Sequence, residues 1–188
     1  MYVNEDEGIT VRRCHWGNTF AFQWQGLNFY GAGSFRGLNA DGMDVIIDCG
    51  ANVQQHTDLH HRGNPLPSPQ QIIGIDWPDG GTPAFTGENW RSLVEDLKHL
   101  KSRSDKETLH VLVCCVGGHG RTGTALAILA ALTGVAPEDP VLYIRKEYCR
   151  KAVETRSQCR YIKKIANIVG EDSISLPDFD ASCESPLR

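Results

Sequence analysis

Basic charge in excess is missing from this sequence. Nineteen lysines and arginines stand against 23 aspartates and glutamates, a formal net charge of −4. That balance offers no electrostatic footprint for nucleic acid or an anionic membrane. Long hydrophobic runs are missing too. The longest, Ala125 to Leu132, falls well short of the roughly 20 residues a membrane span needs. The first residues, Met1 to Glu7, are acidic and lack the basic and apolar regions of a signal peptide. Cys183 stands too far from the end for a prenylation box. The seven cysteines are odd in number and follow no framework spacing, which points to reduced thiols in a cytoplasmic protein without a membrane anchor. There is no internal repeat and no low-complexity segment. What remains, 188 residues at 40% hydrophobic and 22% charged, suits one globular domain over 1–188. Residues 1–8 and 171–188 read as loose termini.

Taken in order, Phe20, Phe22 and Trp24 alternate with polar partners, Gly26 offers a turn, and Leu27 and Phe29 resume the alternation: a β-hairpin. Gly31 to Gly37 reads as a connecting loop, because no strand-to-helix context supports a nucleotide site there. Asp44–Cys49 is a short apolar run between glycines, hence a buried strand. Ala51 to His61 has the length of a short helix, where His56 and His60 take i,i+4 spacing. No glutamate accompanies them as in a zinc-protease helix, so we read a solvated histidine-rich surface and expect no metal. Arg62 to Pro69 is irregular, with three prolines. Gln71–Trp77 is a further strand. Glu88 to Ser102 is an amphipathic helix with Trp90, Leu93, Val94, Leu97 and Leu100 on one face. Pro140 to Arg150 begins another, and Thr155 with Gln158 forms a capping box ahead of the Tyr161–Val169 helix.

The most informative stretch runs from Leu109 to Gly123. The strand Leu109–Cys114 leads into Cys115-Val-Gly-Gly-His-Gly-Arg121, then Thr122-Gly123, then a helix apolar almost all round that Gly134 ends. Backbone N–H groups of such a turn, together with the helix N-terminus, make an anion cradle. Val116, Gly117, Gly118, His119 and Gly120 supply the N–H groups, and the glycines let the backbone approach a phosphate. Arg121 adds a planar fork that matches two phosphate oxygens. The same positive field favours the thiolate of Cys115, the nucleophilic form. Upstream, Trp77-Pro-Asp-Gly-Gly81 places Asp79 between a stiffening proline and two glycines, on a loop able to close over a substrate.

Cys-x5-Arg-Thr with Trp77-Pro-Asp79 before it resembles the cysteine-based protein tyrosine phosphatases. The resemblance covers roughly residues 40–169. Chain size and the lack of longer tyrosine-recognition segments resemble the compact dual-specificity branch, and the Asp76-to-Gly80 run with Cys49 is similar to the regenerating-liver phosphatases. It implies an α/β fold: a central mixed, largely parallel sheet, parallel around Asp44–Cys49, Gln71–Trp77 and Leu109–Cys114, with helices on both faces and the site at the strands' carboxyl ends. It also implies a cofactor-free two-step hydrolysis of a phosphorylated protein or peptide. In that scheme Cys115 attacks phosphorus, Asp79 protonates the leaving oxygen, and Arg121 and the cradle stabilise the transition state. Gln158 or Glu154 orients the hydrolytic water, and Thr122 donates to the departing sulfur.

Cys114 departs from the family, which usually carries histidine before the nucleophile, so other classes stay open. One is a catalytically weak phosphate-binding pseudophosphatase. Another is a rhodanese-like sulfur carrier, against which Trp77-Pro-Asp79 speaks. Separately, His119 in the cradle either adds positive charge for a phosphoinositide, which would make this a phosphoinositide phosphatase, or is a rim residue facing solvent. Cys49 closes a strand that, in the implied fold, neighbours the Cys115 strand, and we expect it to form a reversible disulfide with Cys115.

Overall fold

A tight turn at Gln25 and Gly26, with φ of 46° and 76°, joins β1 (Thr19–Trp24) to β2 (Leu27–Gly33) as an antiparallel hairpin. Two consecutive positive φ values match the right-handed twist of the flanking strands. The computed structural model describes residues 17–34, 38–50 and 71–167. Beyond the hairpin they form β3 (Val45–Asp48), β4 (Gln71–Gly74), α1 (Gly87–Ser102), β5 (Leu109–Cys115), α2 (Gly120–Leu132), α3 (Pro140–Glu147) and α4 (Arg156–Asn167). The strands make one sheet in the order β1-β2-β5-β3-β4, parallel throughout except for the hairpin. The mixed, largely parallel sheet is as expected; of the two faces on which helices are expected, all four helices among the described residues complete one.

β5 is the central strand. Its neighbours run beside it in register, Gly33 opposite Cys115 on one side and Asp48 opposite Cys114 on the other. Strand alternation then sorts the side chains by face. Val111, Val113 and Cys115 join Ile47 and Cys49 in a core that all four helices complete, through Trp90, Leu126, Ile144 and Ile162 among others. Leu112 and Cys114 join Ile46 on the opposite face, under Leu38, Ala40 and Met43.

The helices form where their caps and stripes predict. Thr86 and Asn89 close a reciprocal capping box at the start of α1, which buries Trp90, Leu93, Val94 and Leu97. Each such side chain contributes roughly 1.5–3 kcal/mol by leaving water. α2 is buried from Gly120 through Ala131, as a helix with no polar face must be. It ends at Gly134, whose φ of 73° suits a helix terminus.

Three boundaries differ from expectation. Gly31, Ala32 and Gly33 continue β2 instead of forming a connection, because β5 offers a partner through Cys115. β4 stops at Gly74, since Trp77 turns into the core and Pro78 has no N–H for a ladder. α3 stops at Glu147, where Tyr148 and Cys149 turn inward and the Cys149 N–H reaches back to the Ile144 carbonyl at 3.1 Å. The expectation of reduced thiols is also corrected: Cys149 and Cys159 are disulfide-bonded, whereas Cys49, Cys114 and Cys115 are free. Spacing along the chain carries no record of which buried sulfurs the packing brings within bonding reach. The segment with His56 and His60, the Arg62–Pro69 stretch and both termini lie outside the described residues. Among the described residues, no helix is long and apolar enough to cross a membrane.

Candidate active site

β5 ends on Cys115 and α2 begins at Gly120, so residues 116–119 make the turn between them. The Gly118 N–H donates to Cys115 Sγ at 3.1 Å. Gly118 has φ of 77°, and a Cβ there would lie 2.7 Å from Gly33 N; one on Gly33 would lie 2.8 Å from Gly117 C. The end of β2 and the turn therefore pack backbone on backbone, a contact only glycine permits. Gly33 was not among the expected site residues. Its signal in the sequence was Gly31-Ala-Gly33 at the end of an alternating strand. Val116 stands at the rim, 41% exposed. His119 is the N-cap of α2, and its Nδ1 lies 3.3 Å from Cys149 Sγ.

Arg121 belongs to the first turn of α2 and is buried. Its Nη1 donates to the Gly50 carbonyl at 3.4 Å and the Trp77 carbonyl at 3.2 Å, while its Nη2 pairs with Asp79 Oδ1 at 3.1 Å. Gly50 must be glycine on two counts. Its φ is 83°, and a Cβ would lie 2.7 Å from Arg121 Nη1. One guanidinium thus joins the ends of β3 and β4 to the cradle and to the Asp79 loop.

The Asp79 loop is closed over that guanidinium. Trp77 is buried, packs edge-on against Trp90 and Tyr161, and donates through Nε1 to the Gly81 carbonyl at 2.9 Å. The Gly80 carbonyl accepts from Thr155 Oγ1 at 3.1 Å and Ser157 Oγ at 3.4 Å, both near the start of α4. Asp79 itself remains exposed.

The connection into α4 brings the fourth group. Val153 takes φ of 62°, a left-handed conformation costly for a β-branched residue. The Arg145 guanidinium holds it there by donating to the Ala152 and Val153 carbonyls at 3.0 Å each. Gly123 makes room, since a Cβ on it would lie 2.6 Å from the Ala152 Cβ. This strained corner aims Glu154 at the cradle, where its Oε2 would sit 2.5 Å from a Cβ on Gly120. Partial burial and then the Asp79 carboxylate push the Glu154 carboxyl above the usual range, against opposing pulls from the Gly120 backbone, Lys151 and Arg121.

Gln158 is fully buried and closes the capping box: its N–H donates to Thr155 Oγ1 at 3.2 Å, and its Oε1 accepts from the Thr155 N–H at 3.2 Å and the Glu154 N–H at 2.9 Å. Its Nε2 is left without a partner, 3.0 Å from where a Cβ on Gly120 would be. The oxygen serves the helix and the amide N–H groups face the cradle. In the resting site the Thr122 hydroxyl donates to the Ala32 carbonyl at 3.3 Å. Cys49 lies one residue past the last β3–β5 pair, its N–H donating to the Cys114 carbonyl at 2.8 Å, on the face that Cys115 shares.

Residues 87–170 match the family model of the Swiss Army Knife protein, DSP-PTPase phosphatase domain. Over that segment the chain is similar to the dual-specificity phosphatase domains the family model describes. Within the matched segment lie the Cys115–Arg121 turn, Glu154 and Gln158, while the Asp79 loop precedes it and joins through the fold. Two uncharacterized proteins of Methanocaldococcus jannaschii are similar, 41% identical over 104 residues and 40% identical over 98. Those matches cover 53% and 52% of this chain and 64% and 55% of the relatives, so the chain spans less than two thirds of either relative's length. Among solved structures, Tk-PTP in its active form superposes with a TM-score of 0.52 at 18% identity, over 80% of this chain and 96% of that one. Kinase associated phosphatase with its catalytic cysteine replaced by serine gives 0.52 at 16% identity, over 82% and 98%. At such identities the likeness is one of fold.

Proposed function

We propose that this protein is a phosphoric monoester hydrolase that acts on phosphotyrosine, with phosphoserine and phosphothreonine as slower substrates, through a cysteinyl-phosphate intermediate. The observation that carries the reading is the position of Arg121, within 3.1 Å of Asp79 and at the head of the helix that the Cys115 turn opens into. Nucleophile, anion cradle and acid are then reached by one phosphoryl group.

The Cys115 thiolate attacks phosphorus, and the sulfur–phosphorus bond forms as the bond to the leaving oxygen breaks. Asp79 gives its proton to that oxygen. Arg121 and the turn's N–H groups hold the equatorial oxygens, where charge accumulates. In the second step water attacks the thiophosphate, Asp79 takes its proton, and inorganic phosphate leaves. Gln158 Nε2 and Glu154 border the face from which that water comes. The Gly118 N–H, already on Cys115 Sγ, stabilises the departing thiolate. We assign Thr122 no part in this step, because its hydroxyl is engaged by Ala32. The same reading requires Cys115 to be a free thiol, as it is here, while Cys149 and Cys159 are disulfide-bonded.

Replacing the acid tests it. Asp79→Ala should lower turnover of a phosphotyrosine peptide by roughly 10²–10⁴ and remove the basic limb of the pH–rate profile. An aryl phosphate with a low-pKa phenol needs no proton and should lose far less. Equal losses on both substrates would show that Asp79 is not the acid. Failure on phosphotyrosine peptides alongside rapid inositide hydrolysis would move the protein to a lipid substrate, and no turnover of any aryl phosphate would leave a phosphate-binding pseudophosphatase.

A further inference from the structure

Tyr148 has no part in the chemistry proposed above, yet it touches the cradle. It is buried, and its hydroxyl donates to the Gly118 carbonyl at 2.5 Å. Its ring fills the space that Gly31 leaves open, for a Cβ on Gly31 would lie 2.4 Å from Cε2 and 2.9 Å from Oη. Burial, then the neighbouring Cys115 and Cys114 sulfurs, pushes the phenol far above its ordinary range, so it stays protonated and remains a donor.

The carbonyl it holds belongs to the peptide between Gly118 and His119. In a planar trans peptide the C=O and N–H point in opposite directions. Fixing the carbonyl toward Tyr148 therefore fixes the His119 N–H on the other side. The preceding peptide is fixed independently, its Gly118 N–H on Cys115 Sγ at 3.1 Å. Gly118, with φ of 77°, is the swivel between the two.

We propose that Tyr148 is a positioning residue: its hydroxyl locks the 118–119 peptide so that the cradle presents its N–H groups to a phosphoryl group before one arrives. This rests on the phosphatase reading of the cradle and adds a part for the residue that caps the C-terminus of α3. Donors fixed in advance need no reorganisation when charge develops on the oxygens.

Tyr148→Phe keeps the ring and removes only the hydroxyl. Protection of Cys115 from iodoacetamide by inorganic phosphate reads the cradle without requiring turnover. In the variant, half-protection should need about three- to tenfold more phosphate, the usual worth of one hydrogen bond. Turnover of an aryl phosphate should fall by a similar factor, with Tm within a few degrees of wild type. Equal phosphate requirements in the two proteins overturn the proposal, even if the variant is less stable, since that is the mark of a purely structural contact. They leave the phosphatase reading intact as long as phosphate protects wild type. No protection of wild type by phosphate overturns both. Should the variant not fold, carbonyl and amide NMR of wild type decides. Phosphate should shift the His119 amide proton and leave the Gly118 carbonyl carbon unmoved; a Gly118 carbonyl that moves on phosphate binding overturns the pre-set cradle.

Discussion

Adjacent cysteines with opposite fates are the sharpest feature at the scale of single residues. Cys115 and Cys114 follow one another on β5, so their side chains enter different cores. Burial, then the charges of Asp48 and Cys115, holds the Cys114 thiol above its usual range, as an unreactive core group. Cys115→Ser should abolish turnover while phosphate binding survives, because an alcohol is a poor nucleophile in an intact cradle. Cys114→Ser should keep turnover and lose about 1–3 kcal/mol of stability from burying a hydroxyl. Loss of turnover in folded Cys114→Ser, seen in a steady-state assay, would reverse the assignment. Glu154 makes a second prediction. Its carboxyl lies higher in the folded protein than in the unfolded chain, so its contribution is most favourable below the unfolded value and is lost as pH rises through the folded one. Glu154→Gln should therefore be more stable than wild type at neutral pH, and that gain should shrink as pH falls to about 3, where the unfolded carboxyl is also protonated. Denaturant midpoints at the two pH values measure the difference.

At the scale of elements, the Asp79 loop is held from several sides. Trp77 anchors it from within through Gly81, while Thr155 and Ser157 at the start of α4 grip the Gly80 carbonyl. The loop and α4 should therefore close as one unit. Trp77→Phe keeps a ring against Trp90 and Tyr161 but loses the Nε1–H bond to Gly81. Turnover of a phosphotyrosine peptide should drop about three- to tenfold, the worth of that bond, with a smaller loss on an aryl phosphate whose leaving group needs no proton. A loss that ignores the leaving group would place the effect in binding instead of acid positioning.

For the molecule as a whole, the decisive fact is β5 between two parallel neighbours. That arrangement sets Gly33 beside the cradle from one side and Cys49 beside Cys115 from the other. Neighbouring strands lie about 4.8 Å apart, inside the Cα separation a disulfide tolerates. Burial, then the neighbouring Cys114 and Cys115 sulfurs and the Asp48 carboxylate, holds the Cys49 thiol above its usual range, against the pull of Arg121. Mild peroxide should convert Cys115 to a sulfenic acid, which the Cys49 sulfur attacks to give a Cys49–Cys115 disulfide and water. Mass mapping should find that bond, and a thiol reductant should restore activity. Over-oxidised Cys115 with Cys49 still a thiol would sink the idea.

Much of this protein was legible along the chain because its determinants are local. Hydrophobic period marked β3, β5, α1 and α2; glycine content marked the turn between β5 and α2; Thr155 and Gln158 marked the cap of α4. Cys-x5-Arg and Trp77-Pro-Asp79 carried the family resemblance because a phosphate cradle and its acid are each built from one short segment. What only the tertiary structure decided depends on segments far apart meeting. Gly31 and Gly33 read as a loop until the sheet put β2 against β5 and the turn on top of it. Tyr148 falls inside the expected Pro140–Arg150 helix, and only the turn after α3 brings its hydroxyl to Gly118. Gln158 divided its amide between a helix cap and the cradle, and Thr122 gave its hydroxyl to Ala32, a residue 90 positions away. Such assignments are contests between partners for one donor or one space, and only the folded packing holds the competitors in place together.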